Sequence, residues 1–212
     1  MNIQNIIFDL GGVIINIDYQ LTINAFKQLG ISNFDEVFSK AKQEKLFDDL
    51  EKGNVSPDHF VYRLLSKMPE NTTEQQVIDA WNAMLLNVPQ ERLSLLKKLN
   101  MKYNTSLLSN TNEIHLEAFH KKIKQENGIS ILAPFFDNVY FSCEMGMRKP
   151  DEEIFREVCD QENYKPEETL FIDDSIQHIE GARKVGLHAY HLKDKKITDL
   201  FDAHYNIKKE VL

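Results

Sequence analysis

Short apolar runs that end abruptly in small or acidic residues recur along the chain. Asn-Ile-Ile-Phe at 5–8 runs into Asp9 and then Gly11-Gly12, and Thr-Ser-Leu-Leu at 105–108 runs into Ser109-Asn110. Asn-Val-Tyr-Phe at 138–141 meets Ser142, and Leu-Phe-Ile at 170–172 meets Asp173-Asp174. Runs this short and continuous predict strands buried on both faces, and the helical patterning between them predicts a parallel α/β sheet. Ligands of such sheets gather beyond the carboxyl ends of the strands, which is where these polar residues fall.

Between about 18 and 88 the pattern is helical only. Tyr19, Ile23, Phe26 and Leu29 share one face. Ser56-Pro57 opens a second helix carrying Phe60, Val61, Leu64, Leu65 and Met68. Thr73 with Gln76 forms a capping box ahead of Val77, Ile78, Trp81, Met84 and Leu85. One crossover between parallel strands does not need so many helices. The pattern therefore predicts an all-helical domain, 18–88, inserted into an α/β core made of 1–17 and 89–212. Further helices are expected from Thr111 and over 175–185.

Composition narrows the function. The chain has 212 residues, 42% hydrophobic and 27% charged, the balance of an ordinary globular protein with room for a core and an insert. A net charge of -8 argues against nucleic acid and anionic membrane surfaces as partners, since both select clustered Lys and Arg. A small anionic substrate stays open, because a metal and a few local cations reverse the field inside a cleft. The apolar stretch Ile6 to Ile15 is interrupted by Asp9 and has no basic leader, so no signal peptide is expected and a cytoplasmic location is. Cys143 and Cys159 show no disulfide or metal-ligand spacing and read as free thiols.

Four segments now stand in order: Phe8-Asp9-Leu10-Gly11-Gly12-Val13, Leu108-Ser109-Asn110, Arg148-Lys149-Pro150 and Phe171-Ile172-Asp173-Asp174. Together they resemble the four motifs of the haloacid-dehalogenase superfamily, and the helical block resembles its cap. The resemblance implies a Rossmann-like core and hydrolysis through an aspartyl-phosphate on Asp9. It implies Mg²⁺ held by Asp9, the Gly11 carbonyl and Asp174, with Asp173 acting directly or through a water. Ser109 and Lys149 would act on the phosphoryl group, lined also by Gly11, Gly12 and Asn110. The chemistry is coherent. An ordinary aspartate, with a pKa near ~3.9, is ionised at neutral pH but repels a phosphate dianion unless a cation bridges them. Adjacent carboxylates such as Asp173-Asp174 also want a cation. Donors where a strand ends suit a phosphoryl oxygen, and Lys149 adds a point charge. Blander roles exist for each: Asp9 capping a turn, the acidic pair capping a solvated helix, and a lysine before proline lying in solvent.

Two departures matter. Many superfamily phosphatases carry a second aspartate two residues after the nucleophile as a general acid, and here that position is Gly11. Such an acid is worth about 10² to 10⁴ in rate, about 2.7–5.5 kcal/mol. The Gly-Gly-Val form resembles a branch of sugar-phosphate phosphatases, so a small phosphorylated metabolite is expected, for instance a hexose 1-phosphate. Two alternatives use the same residues: a carbon–halogen hydrolase that needs no metal, and a low-turnover phosphate-binding or sensing protein. The second departure is His178, four residues after Asp174 where relatives often have Asn or Asp. It is expected to face solvent, as is His59. Glu144 is expected to orient Lys149 or its loop. Phe47, Asp48 and the turn Glu51-Lys52-Gly53-Asn54 are expected to line the substrate pocket.

Overall fold

The computed structural model describes residues 2–31 and 45–212, and within them five strands form one sheet. These are β1 (Asn5–Phe8), β2 (Asn104–Ser109), β3 (Asn138–Phe141), β4 (Thr169–Asp173) and β5 (His188–His191), in the spatial order β3-β2-β1-β4-β5. Every neighbouring pair is parallel. β1 is central, and its register sets Phe8 beside Leu107 and Ile172. Alternation along the strands divides the core in two. Ile6, Phe8, Leu107, Leu170 and Ile172 face one side, whereas Ile7, Leu108 and Phe171 face the other.

Four helices described between β1 and the core's return are α1 (Tyr19–Gln28), α2 (Leu46–Glu51), α3 (Pro57–Leu65) and α4 (Glu74–Asn82). Residues 32–44 of the expected helical insert lie outside the described residues. Local chemistry starts these helices. Asp18 accepts from Gln20 N–H at 2.9 Å, Ser56 accepts from His59 N–H, and Thr73 with Gln76 closes the capping box. The block has its own core of Phe26, Leu46, Leu50, Phe60, Leu64 and Val77. Where the chain leaves and returns, its two passes pair with each other: Asn16 N–H donates to Asn87 at 3.0 Å, and Leu86 N–H to Asn16 at 2.9 Å.

The sheet is covered by α5 (Gln90–Asn100) and α6 (Glu113–Asn127) on the Phe8 side. On the Phe171 side lie α8 (Glu152–Glu162) and α9 (Ile176–Lys184), with the short α7 (Ser142–Met145) following β3. Burying each of the large apolar side chains in these layers contributes about 1.5–3 kcal/mol before entropy is subtracted.

The structure departs from the pattern in places. Asn112, not Thr111, caps α6, accepting from His115 N–H at 3.0 Å. Met84 and Leu85 lie past the end of α4. Tyr19 is 61% exposed although it falls on the apolar stripe of α1. The edge strand β5 has no apolar run to announce it: its residues are only half-buried, and pairing with β4 makes it a strand. No helix among the described residues is long and apolar enough to cross a membrane.

Candidate active site

Asp9 continues β1 past its last residue, its N–H donating to Ile172 at 2.9 Å. That bond, with the β1–β4 register, brings it to the acidic end of β4. One carboxylate oxygen from each of Asp9, Asp173 and Asp174 lies within 4.8 Å of the other two. Gly12 makes this approach possible. Its φ is +70°, and a Cβ there would sit 2.1 Å from Asp174 Oδ2. Gly11 is less constrained. Its φ is not in the left-handed region, and a Cβ would press only on the Ile17 side chain at 3.2 Å. The Gly11 carbonyl is left out of the neighbouring backbone bonds, which run from Ile15 N–H to Leu10 and from Gly12 N–H to Ile15.

Lys149 is fully buried, not in solvent as its place before a proline suggests. Its Nζ donates to Asp9 Oδ1 at 2.6 Å, Asp173 Oδ2 at 2.7 Å and the Leu108 carbonyl at 2.9 Å. Asn110 braces it from across the loop: its amide donates to the Lys149 carbonyl at 2.8 Å and accepts from the Lys149 N–H at 2.9 Å. The Asn110 side chain is therefore committed to the protein, which leaves its backbone N–H for a ligand. Ser109 is buried, and its hydroxyl makes only a long 3.4 Å contact to the Asn110 carbonyl, so it is free to donate.

The expectation for Glu144 is wrong. It is exposed, on a surface cleft with Tyr140 and Glu157, and Asn110 does the orienting instead. The expectation for His178 is wrong too. Its Nδ1 lies 3.0 Å from both oxygens of Asp173, to which Ser175 N–H also donates at 2.7 Å. Counting one turn from Asp174 does allow His178 to face the site, but its partner is the acid before it. His59 is exposed, as expected.

The electrostatics follow from crowding. Burial pushes the Asp9 carboxyl up to about 7; the Lys149 ammonium opposes this, and Asp173 and Asp174 reinforce it. Burial acts on Asp173 as well, but Lys149 and His178 outweigh it and hold that carboxyl well below the usual range. Asp174 is raised, first by desolvation and then by Asp173. Burial pulls Lys149 down, yet its two carboxylates win and raise it, so it stays cationic. Three acids thus face one cation. The oxygens of Asp173 are engaged by Lys149, His178 and Ser175, whereas those of Asp9 and Asp174 remain more open. Hard oxygen ligands, an uncommitted backbone carbonyl and an excess of negative charge fit a divalent cation such as Mg²⁺.

The turn at 51–54 does not line an open pocket. Glu51 and Asp48 form ion pairs with Arg148, the residue before Lys149, and Lys52 pairs with Asp151 at 3.1 Å. Glu51 Oε2 is 2.8 Å from Arg148 Nη2, an ion-pair contact without hydrogen-bond geometry. Gly53 takes φ +68°, with a would-be Cβ 2.3 Å from the Cys143 carbonyl. Phe47 stacks on Trp81 at 5.5 Å inside the helical core. The turn is a docking contact on the loop that carries Lys149.

Residues that the chain pattern did not suggest close the site. A cavity of about 80 Å³ is lined by Gly11, Ile17, Tyr19, Met84, Ser109 and His115, among others. Desolvation, then the charges of Asp174 and Asp9, push the Tyr19 hydroxyl up to about 12. A larger cleft of about 390 Å³, lined by Asp58, Asp79, Glu113 and Lys121, touches none of Asp9, Ser109, Lys149, Asp173 or Asp174. The smaller space is the one that reaches the site, through Gly11, Ser109 and Asn110, although the acidic cluster and Lys149 are not in its walls.

Comparisons with known proteins agree with this geometry. The family model for haloacid dehalogenase-like hydrolases matches residues 3–186. The chain is 32% identical over 189 residues to D-ribitol-5-phosphate phosphatase of Bacteroides thetaiotaomicron, covering 89% of this chain and 91% of that protein. It is 28% identical to glyceraldehyde 3-phosphate phosphatase of Pyrococcus furiosus, covering 96% of this chain and 85% of that one. Among solved structures, a HAD family enzyme of Bacteroides thetaiotaomicron in complex with magnesium and inorganic phosphate superposes with a TM-score of 0.86. Its identity is 36%, over 95% of this chain and 100% of that one.

Proposed function

Because the chain belongs to the haloacid dehalogenase-like hydrolase family, we propose that it is a Mg²⁺-dependent phosphatase of a small phosphorylated metabolite, a sugar or polyol phosphate. The observation that carries this reading is the buried Lys149 bridging Asp9 and Asp173, with Asp174 alongside. Residues 18–88 serve as the cap over a catalytic core of 1–17 and 89–212. A carbon–halogen hydrolase with the same Asp9 needs no metal, and would have no use for three clustered carboxylates.

Asp9, Asp174 and the Gly11 carbonyl would hold Mg²⁺, with Asp173 behind them as the carboxylate that orients Lys149. Bound there, the ion would supply the positive charge that keeps Asp9 ionised and offsets its repulsion from phosphate. The chain's residues do the rest. Lys149 fixes Oδ1 of Asp9, so the carboxylate is aimed before the substrate arrives. Ser109 Oγ–H and the Asn110 N–H then donate to the phosphoryl oxygens, and Lys149, whose three N–H groups are taken, stabilises the shifting charge as a neighbouring cation. Asp9 forms a bond to phosphorus as the ester P–O bond breaks, and the leaving oxygen takes its proton from water or the substrate. Water attacks phosphorus next, releasing inorganic phosphate and regenerating Asp9.

The two relatives, by their names phosphatases of ribitol 5-phosphate and glyceraldehyde 3-phosphate, act on esters of a primary carbon. They favour such esters over the hexose 1-phosphate expected from the Gly-Gly-Val resemblance. A single turnover in ¹⁸O-water should label phosphate and leave Asp9 unlabelled, whereas label in Asp9 would mean attack at its carbonyl carbon instead. Asp9→Asn should abolish turnover with the fold intact. Substantial activity in that variant would sink the mechanism.

A further inference from the structure

We propose that His115 determines specificity by accepting a hydrogen bond from a hydroxyl of the leaving group, so that the substrates are phosphate esters of short, hydroxylated, uncharged carbon chains. This rests on the phosphatase reading above and narrows its substrate class.

The cavity that opens beside Gly11, Ser109 and Asn110 is small. Its 80 Å³ corresponds to a handful of water-sized groups, since one water needs roughly 10–15 Å³ on this measure. Ile17, Met84 and Leu85 give it apolar walls, and no Lys, Arg, Asp or Glu lines it. A charged leaving group would therefore enter without a partner. The polar groups beyond the phosphate end are chiefly Tyr19 and His115.

His115 is held in one orientation. Its ring stacks on Trp81 at 5.1 Å and 6°, and Trp81 stacks in turn on Phe47 at 7°. Its Nδ1 lies 2.8 Å from Asn82 Oδ1. Burial lowers the imidazole to about 4, so it is neutral at physiological pH. A neutral imidazole that donates Nδ1–H to an amide oxygen presents Nε2 as a lone-pair acceptor. Among the described residues Nε2 has no hydrogen-bond partner. An acceptor set in an apolar cavity and left unpaired disfavours any ligand that excludes water from it without replacing the bond. A hydroxyl replaces that bond, and a methylene does not. Sites built this way discriminate strongly against the deoxy analogue.

The test compares glycerol 3-phosphate with propyl phosphate, which share a primary ester and differ in hydroxyls. Ethanolamine phosphate and 3-phosphoglycerate add leaving groups of either charge, and acetyl phosphate serves as a small general substrate. The wild type should show kcat/KM at least about tenfold higher on glycerol 3-phosphate than on propyl phosphate, with both charged esters poor. His115→Phe keeps the stack on Trp81 but removes the acceptor, and should collapse that ratio to within about threefold. His115→Gln, with an amide oxygen, should recover part of it. Equal wild-type rates on glycerol 3-phosphate and propyl phosphate would overturn the proposal without any variant. So would full discrimination in a folded His115→Phe. Absence of Mg²⁺-dependent acetyl phosphate hydrolysis would instead defeat the phosphatase reading, and the inference with it.

Discussion

Gly11 allows the general-acid deficit to be tested directly. Gly11→Asp places a carboxyl beside the leaving oxygen, and the backbone permits it. The φ of Gly11 lies outside the left-handed region, and the added Cβ meets only Ile17 Cδ1 at 3.2 Å and Cγ2 at 3.9 Å. Ile17 must yield by a few tenths of an ångström, an overpacking cost of about 1 kcal/mol at the low end of its range. Asp174 lies against the neighbouring Gly12 and clusters with Asp9 and Asp173, so like charge should raise the new carboxyl and keep a protonated fraction at neutral pH. A fully effective acid is worth about 10² to 10⁴, and subtracting the strain leaves about 10- to 10³-fold. That gain should fall on basic leaving groups. The assay is kcat/KM for acetyl, trifluoroethyl, chloroethyl and ethyl phosphate, whose leaving groups stay small enough for the cavity while their basicity changes. The wild type should fall steeply along the series, and the variant should flatten the slope by gaining most on ethyl phosphate. A folded, Mg²⁺-dependent variant with an unchanged slope would refute the reasoning and show that another group already supplies the proton. His178 is committed to Asp173, and Asp18 caps α1, so Tyr19 would be the group to replace next.

Lys149→Met should abolish turnover and destabilise the metal-free protein by about 3–5 kcal/mol in urea titrations, since it strands two buried carboxylates; a loss below about 1 kcal/mol would show that they simply take up protons. The Asp9 carboxyl, raised to about 7 from 3.8, favours folding below pH 4 and loses that contribution as pH climbs through 7. In EDTA the melting temperature should therefore fall between pH 5 and 8, Asp9→Asn should flatten the fall, and Mg²⁺ should raise stability more at pH 8 than at pH 5; a flat wild-type profile in EDTA would contradict the charge excess at the site. Asp173, whose carboxyl is lowered, contributes in the opposite sense, with stability that is lost only on acidification below about pH 4. Arg148→Ala should barely change the melting temperature, because partly exposed ion pairs are worth about 0–1 kcal/mol. It should nevertheless lower kcat/KM by loosening the turn at 51–54 from the loop that carries Lys149, and an unaltered kcat/KM would show that this docking does not position Lys149.

Much of the fold was legible in the chain because its signals are local. An apolar run followed by a polar residue marks a buried strand and its end, and β1 and β3 lie where those runs lie. Ser56 and the Thr73–Gln76 box act over three residues, so they read directly as helix starts. The motif order along the strands also foretold that Asp9, Ser109, Asp173 and Asp174 would share one edge of a sheet. Other features depend on contacts between distant segments. The motif order assigns Lys149 to the site, but its full burial comes only from contacts with distant segments: Asn110, 39 residues earlier, clasps its backbone, and Asp9, 140 residues earlier, pairs with its ammonium. His178 meets Asp173 rather than Asp174, a choice of partner that residue spacing alone does not specify. Gly12, not Gly11, is the indispensable glycine, since the parallel alignment of β1 with β4 drives Asp174 against it. Tyr19 and His115 look like ordinary helix residues; only the packing of the helical block against α6 turns them toward the cavity. Periodicity and capping are written along the chain, whereas the burial of a charge or the choice of its partner is set by which surfaces meet.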